Sequence, residues 1–211
     1  MKETLEKLKG GVRRFRTEIF EQNADLYRKA ASEPQRPHTL MVACADSRVD
    51  VEKMTCSGPG DVFIARNVGN MVPGYGELLG GVSAVIEYAV VALQVQHIVI
   101  CGHSDCGAMK ALLNPESVAG MPTVKSWLNN GLAALRIAET LRRDSHPSGE
   151  LLPILTEQNV LMQLAHLRTH PSVAGALARG TLTISGWVYE IGTGEVRVAE
   201  DGAESFVVIT D

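Results

Sequence analysis

Thr39-Leu40-Met41-Val42-Ala43-Cys44-Ala45-Asp46-Ser47-Arg48 is the stretch on which the rest of the chain is read. Its first six residues are an apolar run of strand length, the pattern of a strand buried on both faces of a sheet. Its last four turn polar and bring a carboxylate and a guanidinium directly behind the thiol of Cys44, so reactive groups sit where a strand ends. A second stretch has the same form: His97 to Cys101, with Ile98, Val99 and Ile100, runs into Gly102-His103-Ser104-Asp105-Cys106. Asp61 to Asn67, with Val62, Phe63 and Ile64, reads as another strand buried on both faces, and Thr181 to Ile191 as a fourth strand.

Helical patterns separate these strands. One covers Leu78 to Leu93, and a longer region, Lys125 to Ala178, is broken by a loop at Ser145 to Gly149, where Pro147 and Gly149 stand. Strands alternating with helices predict an α/β domain with a central, mainly parallel β-sheet flanked by helices. Right-handed crossovers then line up the carboxyl ends of the strands along one edge, where ligands bind in open α/β sheets. Val196 to Ala199 and Phe206 to Ile209 are expected to add one edge strand near the C-terminus, after a turn at Gly192 to Gly194.

Ahead of the sheet, Leu5, Leu8, Val12, Phe15 and Ile19 recur at helical spacing, and a second helix runs from about Asn23 to Ser32 until Pro34 and Pro37 end it. Gly10 and Gly11 are expected to bend this first helix or split it in two. Residues 1–33 thus form a helical arm whose apolar stripe lies outside the sheet region, and a second copy of the chain is its expected cover. No repeat, linker or low-complexity tract divides the sequence, so one domain over residues 1–211 is expected.

Composition narrows the function classes. With 211 residues, 45% of them hydrophobic, the chain can bury a sizeable core. A net charge of -4 offers no field for nucleic acid or an anionic membrane. The densest basic cluster, Arg13, Arg14 and Arg16, is flanked by Glu6, Glu18 and Glu21 and reads as a solvated helix face. The most apolar stretch, Leu78 to Leu93, is interrupted by Gly80, Gly81, Ser83 and Glu87 and falls short of the roughly 20 residues that span a bilayer. Met1 to Phe20 is charged throughout and has no signal-peptide pattern, so a cytoplasmic location and reduced cysteines are expected.

Two thiols and one imidazole at strand ends, Cys44, His103 and Cys106, suit zinc and leave one coordination position open. His103-x-x-Cys106 by itself is a weak signal, equally at home in a core or in a closed structural site. Asp46 and Arg48 strengthen it. A carboxylate paired with a guanidinium stays ionised and acts only as an acceptor, which suits orienting a nucleophile beside a metal. Asp46 could instead take the fourth position and close the site, or the pair could only fix the loop. Asp105, just before Cys106, reads chiefly as a cap for the following helix.

Cys44-Ala45-Asp46-Ser47-Arg48-Val49, Ala65-Arg66-Asn67-Val68-Gly69-Asn70 and Ile98 through Gly107 resemble, in order and spacing, the β-class carbonic anhydrases. The likeness extends from the N-terminal helices through Gly186-Trp187-Val188-Tyr189. It implies reversible hydration of carbon dioxide to bicarbonate by a zinc-bound hydroxide, with zinc on Cys44, His103 and Cys106. It implies Asp46 and Arg48 as the catalytic dyad and Gln35, Tyr88 and Gly102 as substrate-binding residues. It also implies a homodimer or tetramer whose pocket takes residues from both chains. Some members bind regulatory bicarbonate through a Trp, an Arg and a Tyr; Met41 stands at the first of these positions, Arg66 and Tyr189 at the others, which favours an open site. Two alternatives share the scaffold: hydrolysis of carbonyl sulfide or carbon disulfide, and a non-catalytic zinc or bicarbonate-binding protein.

Overall fold

The computed structural model describes residues 2–76, 80–144 and 151–210. The loop expected at Ser145 to Gly149 and the first residues of the helix expected at Leu78 lie outside them. Six strands form one sheet: β1 (Thr39–Cys44), β2 (Val62–Asn67), β3 (His97–His103), β4 (Thr183–Tyr189), β5 (Val196–Glu200) and β6 (Val207–Val208), in the order β2-β1-β3-β4-β5-β6. The first four are parallel, and β5 and β6 add on antiparallel. The C-terminal segment thus supplies two antiparallel strands where the sequence pattern suggested one, because Gly202 turns the chain at positive φ between them.

Side chains alternate across β1, as a pleated strand requires. Leu40 and Val42 join Ile98, Ile100 and Ile184 on one face, where helices α4 (Gly81–Glu87), α8 (Leu151–Arg168) and α9 (Pro171–Ala178) cover them with Ile86, Val160, Leu167 and Val173. Met41 and Ala43 pack on the other face with Val99, Cys101, Val49 and Val51. Two glycines let α8 lie close to the sheet. A Cβ at Gly102 would come within 2.7 Å of Val160, and one at Gly186 within 2.6 Å of the same side chain.

Two strand readings change. β2 is only partly buried, since it is the outer strand of the sheet. β3 runs on to His103, which makes that histidine the last residue of a strand.

The arm consists of α1 (Lys2–Arg14), a wider-wound continuation through Phe20, and α2 (Ala24–Ser32); α3 (Val51–Met54) follows β1, and α6 (Pro122–Trp127) and α7 (Leu132–Asp144) precede α8. Gly10 and Gly11 do not split α1, which runs unbroken through both. Both stand in open space within it, where a glycine lowers helix stability by about 1 kcal/mol without breaking it. Phe15 and Phe20 of the wider-wound continuation close it against Tyr27 of α2, with ring centroids 5.3 to 6.4 Å apart. Among the described residues, no helix is long and apolar enough to cross a membrane.

Candidate metal centre

Each ligand candidate is placed by the end of an element. Cys44 closes β1 and His103 closes β3, neighbouring parallel strands whose carboxyl ends lie side by side. Cys106 precedes α5 (Gly107–Leu113) at its cap position. Their ligand atoms all lie within 4.8 Å of one another, and all three residues are buried. Cys44 Sγ and Cys106 Sγ are 4.0 Å apart, against about 3.8 Å for two thiolates bound tetrahedrally to zinc at its usual bond length.

His103 supplies the third position in the correct tautomer. Its Nδ1 donates to the main-chain oxygen of Ser104 at 2.8 Å, which leaves the Nε2 lone pair facing inward. Nε2 is fully buried and has no hydrogen-bond partner. A buried polar atom of this kind carries a desolvation penalty unless something binds it, and a cation held between two thiolates satisfies it. The donor set and its geometry therefore fit zinc, and Cys44, His103 and Cys106 are positioned to bind it.

The electrostatics agree. Cys44 falls from 9.0 to about 4, chiefly because the Cys106 thiol bonds to its sulfur; burial opposes this, and the neighbouring His103 ring and the main-chain N–H groups of Asp46 and Gly69 reinforce it. Cys106, as the donor of that pair and a buried group, is pushed well above an ordinary thiol. Burial works against a charged His103, yet the nearby Cys44 sulfur and its negative charge raise the imidazole pKa overall. The local field thus favours a positive charge at Nε2, whether proton or metal.

Asp46 and Arg48 lie beside this triad. Asp46 Oδ1 accepts from Arg48 Nε at 2.9 Å and from Arg48 N at 3.0 Å, while Oδ2 accepts from Nη2 at 2.7 Å. Oδ2 is 3.9 Å from His103 Nε2. The Arg48 side-chain bonds outweigh burial and hold Asp46 well below the usual carboxylate range, so it is an acceptor at neutral pH. The loop carrying both is clamped from β2. Arg66 Nε donates to the Cys44 oxygen at 3.1 Å, and its Nη2 donates to the oxygens of Asp46 and Val49 at 2.7 and 2.6 Å.

Asp105 does not cap α5. Its backbone is left-handed at φ 59, and its carboxylate turns to Arg48 and Lys110. The sequence reading missed this contact because the partners are far apart in the chain. Cys101 is, as expected, a buried apolar residue, and burial raises its thiol pKa to about 12. Cys56 is exposed.

The residues expected to bind substrate are not drawn to the triad within one chain. Gln35 lies before β1, at the opposite end of that strand from Cys44, among Pro34, Pro37, His38, Leu93 and Gln94. Tyr88 is half-exposed and packs on Phe63, with centroids 6.0 Å apart. Phe63 sits in register with Leu40, four residues before Cys44, roughly 13 Å along the strand. Gly102 adjoins His103 but is buried, with its Cα against Val160 and Thr156 of α8.

A carbonic anhydrase family model matches residues 39–196, which hold the whole sheet up to the first residue of β5. A carbonic anhydrase of Pseudomonas aeruginosa is 42% identical over 95% of this chain and 90% of its own length. The structure of the β-carbonic anhydrase CcaA superposes with a TM-score of 0.92 at 37% identity, covering 99% of this chain and 93% of that one. One of two tetrameric β-carbonic anhydrases of Sordaria macrospora superposes at 0.81 with 28% identity, over 99% and 100% of the respective chains. On its fold, its Cys-His-Cys centre and these likenesses, the chain belongs to the β-class carbonic anhydrases.

Proposed function

We propose that the protein interconverts carbon dioxide and bicarbonate at the Cys44-His103-Cys106 centre, with Asp46 and Arg48 as its catalytic pair. The observation that carries this reading is the buried, partnerless Nε2 of His103, facing two thiols with an ionised carboxylate 3.9 Å away. Zinc, when bound there, supplies Lewis acidity that makes water a nucleophile near neutral pH. The residues do the rest. Cys44, His103 and Cys106 would hold the metal, and Asp46, an acceptor only, would take a hydrogen bond from the attacking water and so turn its lone pair toward the substrate carbon. Arg48 keeps Asp46 ionised and hence unable to donate.

Asp46 Oδ1 takes two bonds from Arg48 and Oδ2 only one, which leaves Oδ2 a lone pair for the attacking water; with Met41 in place of the regulatory Trp, an open fourth position belongs to this proposal. Gln35, Tyr88 and Gly102 belong to the same proposal as substrate-binding residues. Gln35 and Tyr88 lie away from their own chain's centre, so they reach a centre only as contributions from another copy. A homodimer or tetramer follows, consistent with the tetrameric relatives from Sordaria and with the exposed stripe of the arm. A cytoplasmic location keeps the ligand thiols reduced.

Stopped-flow hydration of carbon dioxide by zinc-loaded protein between about pH 6.5 and 9, beside Asp46→Asn, tests the reading, with a fall of about 100-fold or more expected in the variant. Absence of hydration at every pH rejects it, and turnover of carbonyl sulfide or carbon disulfide in its place would transfer the chemistry to those substrates.

A further inference from the structure

The Arg48 guanidinium has two working edges. Nε and Nη2 hold Asp46, two residues away on the same loop. Nη1 donates to Asp105 Oδ2 at 2.9 Å, and Nη2 also reaches the Asp105 main-chain oxygen at 3.2 Å. Asp105 lies between two metal ligands, on the other loop. Its backbone is left-handed, which Asp tolerates better than most residues, and both its main-chain oxygen and Oδ2 face Arg48. Its remaining carboxylate oxygen is held by Lys110, on the first turns of α5. Four charges of alternating sign, Asp46, Arg48, Asp105 and Lys110, thus join the first metal loop to the second and to the helix behind it.

We infer that Asp105 and Lys110 are positioning residues for the Asp46-Arg48 pair, tethering Arg48 to the second metal loop and so holding the Asp46 carboxylate off the metal. Without the tether, Asp46 and Arg48 move as a unit on their own loop. Asp46 Oδ2 is already 3.9 Å from His103 Nε2, and a small rotation brings it into the open coordination position. The other charged groups nearby do not replace the tether. Arg66 holds only main-chain oxygens. Glu190 and Arg197 share a cavity with Asp105 but are engaged by Ser104 and Glu157.

As a stabilising contact the tether counts for little, since Arg48, Asp105 and Lys110 are about half exposed and exposed ion pairs contribute roughly 0 to 1 kcal/mol. Its effect is on geometry, and the test separates the two. Asp105→Asn keeps the size and removes the charge; Asp105→Glu keeps the charge; Lys110→Gln removes only the brace. In cobalt-substituted protein, azide binding, followed in the visible spectrum, reads whether the fourth position is free. Asp105→Asn is expected to weaken azide roughly five- to tenfold and to lower kcat of the zinc enzyme by a similar factor, with KM little changed. Asp105→Glu should return to within about twofold of the wild type, and Lys110→Gln should fall between.

Unchanged azide affinity in Asp105→Asn and Lys110→Gln overturns the inference, as does equal weakening in Asp105→Glu. The kinetic arm rests on the carbonic anhydrase reading. If the wild type hydrates no carbon dioxide, that reading fails alone and the azide arm still decides.

Discussion

The N-terminal arm and α8 are inverted with respect to each other. The arm is the more polar segment by composition, yet it holds Leu5, Leu8, Val12, Phe15, Ile19 and Leu26 between 40% and 67% exposed and buries none of its residues. α8 is apolar around most of its circumference, yet it buries Thr156, Asn159 and Gln163 at 4% exposure or less. The two departures have different remedies. Thr156 turns back to the Leu152 oxygen of its own helix, and the rest of the polar stripe of α8 is satisfied by the loop from Gly69 to Tyr75. Asn159 donates to the Gly69 oxygen, Gln163 accepts from Val72 N, His166 Nδ1 meets the Val72 oxygen, and beyond the helix end Thr169 accepts from Tyr75 N. The arm's stripe finds no such cover among the described residues. A buried polar group must be answered by its own chain as it folds, whereas an exposed apolar stripe can wait for a second copy.

The largest expected effect follows from placing charge on the stripe. Leu8→Glu with Val12→Glu puts two carboxylates one helical turn apart where the second chain is proposed to sit. Each leucine- or valine-sized group withdrawn from an interface forfeits about 2 kcal/mol, so the pair should raise the dissociation constant on the order of a thousandfold. Sedimentation velocity at micromolar protein should show the assembly reduced to single chains, with the α8 region as stable as before. An unchanged mass would place the interface elsewhere and remove this half of the contrast.

Gln163→Leu attacks the other half. Gln163 is fully buried, and besides Val72 N it serves the Asn130 oxygen at 3.1 Å and Asn159 Oδ1 at 3.0 Å. Leucine fills most of the same space but orphans at least two main-chain groups, so a loss of about 3 kcal/mol is expected in urea denaturation. Amide exchange should quicken first at Val72. A variant as stable as the parent would mean that the loop is held by packing, not by the stripe.

What the sequence revealed follows the same division. β1 was legible to the residue because an apolar run of six that ends at once in Cys44-Ala45-Asp46 has one sensible reading. The ligand set was legible because two thiols and an imidazole, at two strand ends and the start of the helix that follows, have few other uses together. The polar stripe was not. Asn159, Gln163 and His166 recur at helical spacing, which suggests a solvated face, and only the unpaired main-chain groups of a loop some ninety residues away turn that face inward. Asp105 was misread as a cap for a related reason: its partner Arg48 lies 57 residues away. Gln35 and Tyr88 could be proposed only by resemblance, since nothing local sets apart a turn glutamine or a helix tyrosine proposed to serve another chain.

The smallest expected effect distinguishes the two regions by pH. His170, just past α8, is 2% exposed, with Nε2 at 3.1 Å from the Pro73 oxygen and the Tyr75 ring against its edge. Burial lowers its pKa below 6.5, opposed by the bond to Pro73 and aided by the charge of His166. The sign follows directly. Above the unfolded value, near 6.5, the ring is neutral in both states and contributes nothing. As pH falls below it, the unfolded chain takes up the proton first, so stability declines until the folded pKa is reached. His170→Gln, which can still donate to Pro73, should flatten that decline relative to the wild type by at most the slope of a single proton, about 1.4 kcal/mol per pH unit. Urea midpoints of zinc-loaded protein between about pH 7.5 and 5.5 measure it, and working from the difference between variant and wild type cancels the other titrating groups, including His97, which burial shifts in the same direction. The arm buries no titratable group and should leave no mark on that difference. Parallel curves for variant and wild type would show that the histidine end of the stripe opens to water before the fold is lost.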